Sequence, residues 1–244
     1  MNKLLIILML FSPIVIQAQD DAPAPPVSPL QTAMNNAREA ARANDPDAAV
    51  AELQKLVDAG FSSVAFITSD KDLATLAGDP AYDKLIADMT LVAYPCEHDG
   101  QFSEFDFWVG KWDVHVAGGA LAGHNDITRE QRSCVLIENW TSATGGGGMS
   151  INYVDKIEGE WVQVWNDASG SQINIRGGMT EEGMLLTGTI HYVANAQTKA
   201  FRGLWTPLED GRVRQYFEQM DDDGETWVPW FEGFYTRSET GHPE

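Results

Sequence analysis

From Glu104 to Ser238 the chain is broken by turn residues roughly every eight to twelve positions, and the pieces between the breaks alternate apolar and polar side chains. Trp112–Val116, His124–Glu130, Cys134–Thr141, Met149–Tyr153 and Trp161–Trp165 read as strands, as do Gln172–Arg176, Met184–His191, Lys199–Trp205, Arg212–Gln219 and Glu225–Arg237. The breaks fall at Gly145–Gly148, Glu158-Gly159, Asp167–Gly170, Glu182-Gly183 and Asp210-Gly211. Connections this short join neighbours as hairpins. The pattern therefore predicts an antiparallel up-and-down β-barrel of roughly eight to ten strands, with a flattened sandwich as the alternative. About 140 residues are enough to wall one small cavity.

The preceding segment, 32–92, has helical character instead, so the fold class is α+β, a helical hairpin segment followed by the barrel. Ala33–Ala43 is rich in helix formers. Asn44-Asp45-Pro46 interrupts it and restarts a helix, with Asp45 as N-cap and Pro46 in the first turn. Ala49, Leu53, Leu56 and Val57 recur at helical spacing, and Gly60 ends the run. A short helix, a Gly78-Asp79-Pro80 turn and a further helix follow. The first pair resembles one helix–turn–helix unit of a tetratricopeptide array. A lone unit has no neighbour on which to bury its face, so residues 32–92 are expected to pack on the barrel or on a protein partner.

Residues 1–18 read as a secretory signal peptide: Lys3 gives a positive start, Leu4–Ile16 is apolar, and Ala18 is a small residue at the cut. An uncleaved anchor is the alternative, although the run is short for a span. Residues 19–31 read as an extended Pro- and Ala-rich leader, 96–238 as the barrel, and 239–244 as a tail. The expected location is secreted or periplasmic, with no membrane span after cleavage. A formal charge of −20 repels phosphate backbones and anionic lipid, so nucleic acid is not an expected partner. Two cysteines in an exported chain point to a disulfide, Cys96 to Cys134, which would staple the segment before the first strand to a later one. A nucleophilic Cys96 beside His98 is the other reading.

Phe105-Asp-Phe-Trp-Val-Gly-Lys-Trp-Asp-Val114 resembles the opening of a family of exported, mostly bacterial, lipocalin-like (calycin-type) barrels of unknown function. Cys134–Trp140, Trp161–Gly170, Gly211–Gln215, Thr226-Trp227 and Gly233–Tyr235 extend the likeness over essentially all of 96–238. The resemblance implies a fold, no catalytic residues and no cofactor. It implies structural roles for Gly110 and Trp112 at the barrel's closed end, with Arg237 of the last strand laid across the Trp112 ring. The chain also resembles nitrobindin-type haem barrels at Gly110-Lys111-Trp112, but 225–237 has no His to ligate iron.

Candidate ligand-binding residues are polar groups interleaved with tryptophans: Glu138 and Trp140; Trp161, Gln163 and Trp165; and Arg202, Arg214, Gln215 and Glu218. An inward Gln or Arg must be paired or solvated, so a polar, aromatic lumen implies water or a ligand. The alternative is a dry core of tryptophans with the polar groups outside, because a one-residue slip inverts every face. Asp222–Trp227 resembles an Asp-box turn, with calcium as the other reading of its carboxylates. Gly148-Met149-Ser150 has half of a nucleophile elbow without the strand-to-helix context. His115, His124 and His191 lack metal-ligand spacing. The expected function is an exported protein holding a small, partly apolar ligand. The alternatives are a hydrolase or isomerase using Glu138 or Glu218, and an interaction module acting through the helices.

Overall fold

The computed structural model describes residues 28–238. The segments expected to be a signal peptide (1–18), most of a leader (19–31) and a tail (239–244) lie outside the described residues. The chain divides into two compact units after Leu85.

In the first unit, α1 (Pro29–Arg42) and α2 (Pro46–Asp58) form a helical pair. Each starts on a cap and a proline. The Gln31 N–H donates to Ser28 Oγ at 3.1 Å and the Ala48 N–H to Asp45 Oδ1 at 3.1 Å, satisfying helix-end donors. Ala37, Ala41, Ala49, Leu53 and Leu56 are buried. A short helix, α3 (Val64–Thr68), unread in the sequence, and a 3-10 turn at Leu73–Leu76 follow, burying Ile67 and Leu73. Arg38 pairs with Asp70 at 2.7 Å. The helix α4 (Pro80–Ala93) contains the division between the units. Among the described residues no helix is long and apolar enough to cross a membrane.

The second unit is a closed antiparallel barrel, which excludes the sandwich. Its strands are β1 (Gly110–Val116), β2 (Leu121–Glu130), β3 (Val135–Ser142), β4 (Gly147–Asp155) and β5 (Glu160–Asp167). The circuit continues through β6 (Gln172–Thr180), β7 (Gly183–Tyr192), β8 (Gln197–Pro207), β9 (Val213–Met220) and β10 (Trp227–Arg237). Every strand pairs with its sequence neighbour, and β10 pairs back onto β1 with Trp112 opposite Arg237 and Val114 opposite Tyr235. Closure leaves no sheet edge, and the pleat then sends alternate residues inward.

One end is plugged before β1 begins. Where the sequence suggested that strand structure starts at Glu104, the chain instead makes a 3-10 turn at Asp106–Trp108, just after another at Gly100–Ser103. Phe102 in the first turn, Phe105 between the two and Trp108 at the end of the second are all buried. The Phe105 and Trp108 rings stack at 4.9 Å, and Phe105 meets Trp161 and Trp205 edge-on. Trp112 donates its indole N–H to the Trp108 carbonyl at 2.8 Å. Arg237 lies 3.9 Å from the centre of the Trp112 ring and donates to the Val109 carbonyl at 2.6 Å. Gly110 has φ +136°, a region L side chains avoid, and a Cβ there would strike the Arg237 guanidinium.

A disulfide joins Cys96 to Cys134, with a Cα–Cα distance of 5.0 Å. It anchors the β2–β3 turn, where Gln131, Arg132 and Ser133 all take positive φ (50°, 53° and 72°). Arg132 reinforces it by pairing with Glu97 at 2.8 Å and covering the Tyr94 ring at 3.6 Å. The bridge spans 38 positions, so loop-closure entropy predicts that reduction lowers unfolding free energy by roughly 3–4 kcal/mol. Urea midpoints with and without reductant, and of the double variant C96S/C134S, measure this; unchanged midpoints would contradict it.

Candidate functional site

The buried polar and charged side chains among the described residues are Asn125, Glu138, Ser150, Asn152, Gln163 and Gln215. All six sit on inward positions of the barrel, and hydrogen bonds join them into one network. Asn125 of β2 donates to Glu138 Oε1 at 2.7 Å and to the Tyr235 hydroxyl at 3.2 Å. Ser150 of β4, directly opposite Glu138 in the β3–β4 ladder, donates to Glu138 Oε2 at 2.6 Å. Asn152 donates to Ser150 Oγ at 2.8 Å, and Gln163 of β5 donates to Asn152 Oδ1 at 2.8 Å. On the other side, Tyr235 of β10 donates to Gln215 Oε1 of β9 at 2.6 Å.

Gln163, Asn152 and Ser150 thus relay toward the Glu138 carboxylate, which Asn125 also meets, while Tyr235 donates away from it to Gln215. Burial pushes the Glu138 carboxyl above the ordinary range, while the bonds from Ser150 and Asn125 act against that rise. Burial, and next the charge of Glu138, holds the Tyr235 phenol well above its usual value.

A cavity of about 140 Å³ opens above this network, in the half of the barrel away from the plug. Its floor carries Glu138, Gln163, Gln215 and Tyr235, and its walls are Trp140, Trp165, Ile173, Phe217, Trp230 and Phe231. No Lys, Arg or His lines it. Gln163 Oε1 and Gln215 Nε2 make no hydrogen bond to another protein group, although both side chains are almost wholly buried. The register explains part of the wall. Trp140 and Trp165 lie across from Gly148 and Ser150, and a Cβ at position 148 would strike the Trp165 indole. A bulge between Pro229 and Phe231 breaks the alternation of β10, so that consecutive residues, Trp230 and Phe231, both face the cavity. The Tyr192 hydroxyl accepts from the Trp230 indole at 2.9 Å and holds it at the rim.

Of the candidate residues, the cavity gathers Glu138, Trp140, Gln163, Trp165 and Gln215. Trp161 shares the inward face of β5 but sits lower, against Phe105 and within 3.2 Å of Glu104 Oε2. Arg202, Arg214 and Glu218, expected in the lumen from the sequence, do not join the cavity residues, since the pleat turns them outward. Phe201, Trp205, Gln215 and Phe217 take the inward positions of the same strands. Arg202 pairs with Glu218 at 2.7 Å and covers the Trp227 ring, and Arg214 pairs with Glu232 at 2.7 Å. Asp223 caps its own turn, accepting from the Glu225 and Thr226 N–H groups at 2.9 Å.

Sequence reasoning did not single out Asn125, Asn152, Ile173, Phe217, Trp230, Phe231 or Tyr235, and it weighed Ser150 only as a nucleophile. Ser150-x-Asn152 lies on the period-2 face of Val154, a signal that was readable. Asn125 and Tyr235 come together only through barrel closure. No protein-family model matches the chain, and no curated protein matches it.

The carboxyl of Glu138 holds its proton more tightly in the folded chain than in the unfolded one. The contribution of Glu138 to stability therefore falls as pH rises from the unfolded value, about 4.3, through the folded value, and is level above it. Tyr235 is the other titratable group on the cavity wall. Replacing the charge with an amide removes the loss, so E138Q should gain on the wild type across that window. Urea denaturation of both proteins from acid to neutral pH checks this; a constant difference between them would contradict it.

Proposed function

We propose that the chain is an exported binding protein that holds a small, partly apolar molecule inside a lipocalin-like barrel. The observation that carries this reading is a cavity with an aromatic wall and a hydrogen-bonding floor. Aromatic walls supply contact area and exclude water, while a few fixed polar groups select orientation. A dry cavity of about 150 Å³ accommodates benzene, so about 140 Å³ suits the inner part of a ligand of that size. The open end leaves room for a larger molecule to protrude. Gln163 and Gln215 support the reading further, because each offers a group that the protein does not use. Export is supported by the Cys96–Cys134 disulfide, a bond that persists in oxidising compartments.

A second reading, a hydrolase or isomerase, is favoured by Glu138 alone. It faces the cavity, and burial raises its proton affinity, as suits a general acid or base. Glu218 does not share this position, being paired with Arg202 on the outer face. Binding without turnover in activity screens separates the two readings.

Toluene should bind the purified protein at micromolar to millimolar concentration, detected by calorimetry or by shifts of the indole NMR signals of Trp140 and Trp165. Ile173 lies on the cavity wall, and I173W would fill much of the space, lowering affinity at least tenfold. Overpacking costs roughly 1–3 kcal/mol, so the variant should remain folded. A folded I173W that takes up toluene like the wild type would overturn the assignment of the site.

A further inference from the structure

The reading of this cavity as a ligand site can be deepened to a ligand class. Glu138 is a carboxylate at the base of a pocket that contains no cationic side chain. Its neighbours supply two hydrogen bonds, one to each oxygen, leaving a lone pair on each. Gln163 Oε1, the other unused acceptor of the floor, belongs to a side chain only 1% exposed. Above these acceptors stand the rings of Trp140, Trp165, Phe217, Trp230 and Phe231. Aromatic faces attract cations, more strongly once water is excluded. An anionic ligand would place two like charges together in a water-poor cavity. A purely apolar one would leave the floor acceptors without partners.

We infer that the barrel selects a small organic cation, a primary ammonium or amidinium carried on an apolar or aromatic body, with its N–H groups on Glu138 and Gln163 and its charge boxed by the tryptophans. This rests on the cavity being a binding site. The cation takes the place of the missing counter-ion, and the chain's net charge of −20 favours its approach. Binding requires ionised Glu138. Affinity therefore falls as pH drops below the carboxyl's titration in the free protein, by up to tenfold per pH unit. Tyr235 stays neutral throughout, since its phenol titrates well above the usual value.

Calorimetric titration of the full chain with benzylammonium, benzyl alcohol and benzoate at about pH 8 tests this, in about 0.5 M NaCl to screen the acidic surface. The expected result is benzylammonium binding at least tenfold more tightly than benzyl alcohol, no measurable benzoate binding, and loss of the preference in E138Q. A wild-type pH series, in which benzylammonium stays charged, should show the acid-side loss of affinity even if E138Q does not fold. Equal or tighter binding of benzyl alcohol, a preference that survives in E138Q, or a flat pH series would overturn the inference while leaving the cavity a binding site. No binding of any of the three would overturn both readings.

Discussion

Everything inside this barrel depends on β10 returning to β1. That pairing fixes Trp112 opposite Arg237 and Val114 opposite Tyr235, and with them the inward set of every strand. An open sheet could slip by one residue and turn its polar ladder to water. A closed one cannot slip without breaking the whole circuit. The plug acts at the same seam. Phe105, Trp108 and Trp112 fill one end with aromatic contacts, and Arg237 ties the last strand to both the ring of Trp112 and the backbone at Val109. With one end filled, the free volume is confined to the other.

The interior is therefore divided in chemistry. Below, rings pack against rings. In the middle, six strands contribute one polar residue or more to a network that includes the Glu138 carboxylate. Burying such groups is tolerable only where they satisfy one another, and most do. The exceptions are informative. Asn125 Oδ1 is buried without a donor, and Gln163 and Gln215 each hold an unused group at the cavity. An apolar lining would give a more stable core, since a buried unpaired carboxylate is costly. A polar floor under aromatic walls makes sense as a place for another molecule.

The strands were legible because glycine-bearing turns punctuate them and burial on one face forces alternation. The ten segments read from sequence all became strands, with ends shifted by a few residues. The helices α1 and α2 were legible from their caps and prolines. Which face of each strand points inward was not legible, because that depends on register around a closed circuit. Glu138, Gln163 and Gln215 turned inward, while Arg202, Arg214 and Glu218, chosen by the same reasoning, turned outward into surface pairs. The β10 bulge hid Trp230 and Phe231, since it suspends the alternation that sequence reading relies on. Trp112 at the closed end was legible through the resemblance, but the part of the plug built by Phe105 and Trp108 was not, because their rings find their contacts on Trp161 and Trp205, distant in sequence.

The central claim is that barrel closure buries a carboxylate without a counter-ion beneath an aromatic cavity. The side-chain carboxyl carbon of Glu138, followed by NMR as pH is varied, tests it most directly. The account predicts a midpoint clearly above the ordinary glutamate value and a shift of the same resonance when a cation is added at neutral pH. A Glu138 that titrates like a solvent-exposed glutamate and ignores added cations would contradict it.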